Sequence, residues 1–75
     1  MVEVAEHALD VQIGGDHYKS LKIQPIEYCY QNKLNVCQSK VVKYITRYPS
    51  KGGLEDLKKA KHMIDLIIEF EYSDA

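Results

Sequence analysis

Seventy-five residues with ten Lys and Arg, eleven Asp and Glu and two cysteines make one small domain, with much surface for its volume. Cys29 and Cys37 lack CxxC spacing, and two cysteines are too few for a disulfide framework or a complete zinc site. The longest apolar cluster, MIDLIIEF, is too short and too charged to span a bilayer, and the acidic start, MVEVAEHALD, lacks the apolar run of a signal peptide. A cytoplasmic protein is the expectation.

In chain order, residues 1–10 read as a flexible acidic arm and 11–75 as a single small helical domain. VQI and LKI alternate apolar and polar residues around the loop GGDHYKS, which suggests two short extended segments or a β-hairpin-like pair. Pro25 then suits a first helical position, and Ile26, Cys29, Tyr30 and Leu34 follow at helical spacing. This helix ends in NKLN. A second helix, VCQSKVVKYITRY, has Val41, Val42 and Ile45 on its apolar side, and Pro49 stops it near Tyr48. PSKGG is a turn. A long third helix follows, LEDLKKAKHMIDLIIEFEY, with an apolar stripe of Leu54, Leu57, Ala60, Ile64, Ile67 and Ile68. The fold class is therefore mainly α: a three-helix domain with a short extended N-terminal segment.

The formal net charge of −1 hides an uneven distribution. All ten Lys and Arg lie between residues 17 and 62, where only Glu27, Glu55 and Asp56 oppose them, a net of plus seven. Such a block attracts phosphates, nucleotides or nucleic acid. At roughly 100° per residue, Lys40, Lys43 and Arg47 share one sector of the second helix with Tyr44, away from Val41, Val42 and Ile45, and Lys51 falls in the same sector beyond the break at Pro49. Stacked like charges repel, so cations gathered in one sector favour an anion site over a solvated basic face paired with acids of a neighbouring helix. Arg offers a planar two-pronged donor to phosphate and Lys a mobile point charge. The glycines of GGDHYK allow close backbone approach, which makes His17 a candidate for the opposite wall.

Negative findings narrow the chemistry. Neither GxxxxGK[ST] nor GxGxxG occurs, and no nucleophile sits with its base. His7, Asp10, Asp16 and His17 match no strong metal-ligand spacing, so no metal site is expected. His62 reads as a helix-surface residue.

GGDHYKSLKIQPIEY, VVKYITRY and GLEDLKKAKHMID, in that order, resemble the SaV-like small domain of tailed-phage proteins, usually given as of unknown function. The resemblance covers roughly residues 12–70. A phage deoxynucleoside monophosphate kinase lacking a P-loop falls within it. The resemblance implies a nucleotide ligand, a setting in the host-cell cytoplasm, and ligand contacts at His17, Tyr18, Lys43, Tyr44, Arg47, Lys51 and Lys59, with Asp56 also matching. The chain departs from the pattern at Ser39 and Lys40, where relatives carry Gly-Asn, and at His62 and Met63, where they carry an aromatic pair.

The leading expectation is a phage-type nucleotide-binding protein acting in nucleotide metabolism or in sequestering a nucleotide signal. The alternatives are a nucleoside monophosphate kinase-like phosphotransferase, with magnesium accompanying the nucleotide and Asp16, His17 or Asp56 assisting, and a small adaptor for nucleic acid or a host protein. Leu57, Ile64 and Ile68, widened by Met63, Ile67 and Phe70, leave an apolar face too large for the domain to cover. A homo-oligomer through the C-terminal helix follows, with the anion site near a subunit boundary.

Overall fold

The computed structural model describes residues 21–73, which contain three α-helices and no strand. The hairpin-like reading rests mainly on residues that lie outside the described ones. Residues 21–23 form bends that lead into the first helix.

Helix α1 spans Pro25–Gln31, α2 spans Val36–Arg47 and α3 spans Gly53–Tyr72. Each bound lies within a residue or so of a signal in the sequence. Pro25 opens α1, where its missing N–H costs nothing. α1 closes with Lys33 in the left-handed region (φ 57°). There the Lys33 N–H donates to the Tyr30 carbonyl at 3.1 Å and the Leu34 N–H to the Cys29 carbonyl at 3.0 Å. This is the paired arrangement that satisfies the last carbonyls of a helix. Asn35 begins α2 with a reciprocal cap: its side chain accepts from the Gln38 N–H at 2.9 Å, and the Gln38 side chain accepts from the Asn35 N–H at 2.9 Å.

α2 lies between its neighbours; α1 packs on it, and so does α3. The core along these contacts is thin. Pro25 and Cys29 of α1 and Ala60 of α3 are buried, whereas α2 has no fully buried residue and contributes half-buried Val41 and Val42. Several residues of the expected apolar stripes face solvent instead: Ile26, Tyr30 (83% exposed), Ile45, Leu54 (66%), Ile64 and Ile68 (52%). The physical reason is geometric. Among the described residues, a two-turn helix packed mainly on α2 buries only the narrow face around Cys29. α3, with twenty residues against twelve in α2, is about 12 Å longer than its partner.

Candidate functional site

The α2–α3 junction brings the chemistry together. After Arg47 the chain turns through Pro49–Lys51, with the Ser50 and Lys51 N–H groups donating to the Arg47 carbonyl at 3.0 and 3.1 Å. Gly53 then takes φ +54°, a conformation that a side chain would resist. Gly52 is required for a different reason: a Cβ there would overlap the Asp56 carboxylate.

Asp56 lies in the first turn of α3 and is 1% exposed. Both its oxygens accept from Arg47: Nε donates to Oδ2 at 2.8 Å and Nη2 to Oδ1 at 2.7 Å. This two-pronged pair joins the last turn of α2 to the first turn of α3. The Arg47 hydrogen bonds hold the Asp56 carboxyl below the ordinary carboxylate range, against the opposing effect of burial. The charges of Arg47 and Lys59 and a backbone hydrogen bond from Gly52 lower it further.

Tyr44, half-buried one turn before Arg47, is the centre of a cationic cluster. Lys43 Nζ lies 5.6 Å from its ring centroid, Arg47 Cζ 5.4 Å and Lys59 Nζ 5.7 Å. All are within the range of a cation–π contact. Lys59 also approaches Glu55 at 3.9 Å, one turn back along α3. Beside the ring runs an open groove of about 350 Å³ lined by Tyr44, Glu55, Lys58, Lys59, His62 and Met63. A second groove, of about 330 Å³ and largely apolar, lies between α1 and α2, with Lys40 and Lys43 at its rim.

Of the residues singled out in the sequence, Lys43, Tyr44, Arg47 and Lys59 converge. Lys40 borders the other groove, and Lys51 is exposed in the turn. His17 and Tyr18 lie outside the described residues. Sequence reasoning allowed that acids of a neighbouring helix could meet this face, but did not foresee that Asp56 would claim two donors of Arg47. Nor did it single out Lys58, or give His62 more than a surface role. The signal for the groove was present: residues 55, 58, 59, 62 and 63 recur at one-turn spacing and so share a flank of α3.

Among the described residues, no group of three or more His, Cys, Asp or Glu side chains could hold a metal ion, and no helix is long and apolar enough to cross a membrane.

No curated protein and no solved structure matches the chain. A family model does, over residues 13–65, which takes in α1, α2, the Arg47–Asp56 junction, the Tyr44 cluster and the first two-thirds of α3. The chain therefore belongs to the DUF3310 family, a family described as being of unknown function.

Proposed function

We propose that this chain binds a nucleotide through its phosphate at the Tyr44 cluster. The observation that carries this reading is the approach of three cations, from two helices, to within 5.4–5.7 Å of one tyrosine ring beside an open groove. Arg47 is anchored by Asp56, which offsets its charge and holds it in place against the Tyr44 ring. Lys43 and Lys59 sit on exposed, flexible stems and supply mobile donors to phosphate. The Tyr44 ring offers a surface for a base or sugar. The SaV-like resemblance adds His17, Tyr18 and Lys51 as further contacts. It also supports a phage setting, with a role in nucleotide metabolism or in sequestering a nucleotide signal.

Binding is favoured over phosphoryl transfer for a specific reason. Phosphoryl transfer relies on metal ions and positioned acids to neutralise developing charge. Asp56, an acid proposed for that work, is buried with both oxygens engaged by Arg47. Titration calorimetry against mono-, di- and cyclic nucleotides tests the reading. At least one should bind, and Lys43→Ala or Lys59→Ala should weaken it about tenfold, the scale of one lost charged hydrogen bond. Silence across the panel with the helices intact would sink it. Tight, strongly salt-dependent binding of RNA or DNA alone would replace it with an adaptor role.

A further inference from the structure

The flank of α3 opposite the Tyr44 cluster carries a different pattern. At roughly 100° per residue, Leu54, Leu57, Lys61, Ile64, Ile68 and Tyr72 fall in one sector about 80° wide. All six are exposed, from 37% at Leu57 to 75% at Tyr72 among the apolar ones. Lys59 is nine residues from Ile68 and so lies about 180° away from it. The stripe and the cationic cluster therefore occupy opposite flanks of the helix.

Charge is divided along the same helix. After the first turn, which carries Glu55 and Asp56, Lys58, Lys59 and Lys61 occupy the rest of the first half, whereas Asp65, Glu69 and Glu71 lie in the second. The last turn holds no basic residue, so Glu69 and Glu71 sit near the negative end of the helix dipole. That placement is unfavourable for the helix alone and calls for positive charge from elsewhere.

We propose that the partner is a second copy of this chain, with its α3 antiparallel to the first across a twofold axis near the middle of the helix. Such pairing sets Leu54 and Leu57 of one copy against Ile68 and Tyr72 of the other, with Ile64 near the axis. It brings Lys58 and Lys61 toward Asp65 and Glu69 of the facing helix, and so offsets the acids at the unfavourable end. A parallel arrangement would instead set lysine against lysine and acid against acid. The twofold makes one self-complementary patch serve both subunits. Each Tyr44 cluster stays on the outer flank and within one subunit, unlike the shared site expected from the sequence.

Light scattering of the full chain at tens of micromolar should give a dimer mass. Ile68→Glu should give a monomer with its helical circular dichroism retained. The exposed double variant Lys58→Glu/Lys61→Glu should weaken the dimer at least tenfold, and adding Asp65→Lys and Glu69→Lys to the same chain should restore it. A monomeric wild type, a dimer indifferent to Ile68→Glu, or a fourfold variant no tighter than the double would each overturn the proposal. If Ile68→Glu unfolds, the charge variants decide, since they leave the apolar residues in place. Nucleotide binding should survive dimer loss in Ile68→Glu, on the flank opposite the Tyr44 groove, so failure here is distinguishable from failure of the ligand reading; the Lys58 variants are read for dimer mass alone, because Lys58 lines that groove.

Discussion

The two helix junctions of this small protein are held in opposite ways. Between α1 and α2, the chain relies on exposed, local bonds: the turn at Lys33, the Asn32 side chain donating to the Tyr28 carbonyl at 3.0 Å, and the Asn35–Gln38 cap. Between α2 and α3, a buried carboxylate nine residues along the chain takes two hydrogen bonds from Arg47. Local bonds at a surface compete with water and contribute modestly. A buried charge has no such substitute when its partner is removed. The lesson is that the α2–α3 junction is specified by a polar contact where the apolar core is too thin to do so.

Arg47→Ala should break that contrast most severely. It strands the Asp56 carboxylate, so the loss of stability in urea unfolding should exceed that of any other single change considered. The pH dependence has a definite sign. In the wild type the folded-state pKa of Asp56 is depressed, so its contribution is present above the unfolded pKa of roughly 4 and is lost as pH falls through the lower folded value. In Arg47→Ala only burial remains to act strongly, which favours the neutral acid. The stability gap between wild type and variant should therefore narrow on acidification. A gap constant from pH 7 to 3 would contradict the account.

The two glycines sharpen the same point at smaller scale. Gly53→Ala meets open space and pays only for its left-handed backbone, about 1–2 kcal/mol. Gly52→Ala has an ordinary φ of −88° yet should cost more, because its Cβ displaces the Asp56 carboxylate. The cost of Gly52→Ala should largely vanish in an Asp56→Ala background while that of Gly53→Ala persists, a coupling that a thermodynamic cycle reads directly. At the other junction, Asn35→Ala should cost about 1 kcal/mol, the usual scale of a lost cap. Its effect should add to that of Gly53→Ala, because the two junctions share no partner.

Much of the architecture was legible in the sequence. Pro25, Pro49, the NKLN turn and PSKGG place the three helices almost to the residue, because start and stop signals act through local backbone sterics. The gathering of Lys43, Tyr44 and Arg47 was legible for the same reason: residues three and four apart share a helix face. Ile26 and Tyr30 misled, since periodicity reports which face is apolar and not whether a neighbour covers it.

The sequence by itself determined the helices, their ends and the basic face of α2, all consequences of spacing along one chain. Only the tertiary structure decided that Lys59 joins Tyr44, that Asp56 rather than solvent meets Arg47, and that Ile45 and Leu54 stay exposed. Those outcomes depend on how α3 is rotated against α2. The Arg47–Asp56 fork ties that rotation down, and the bare Gly52 leaves room for the carboxylate, a pairing across two helices that no one-dimensional pattern encodes.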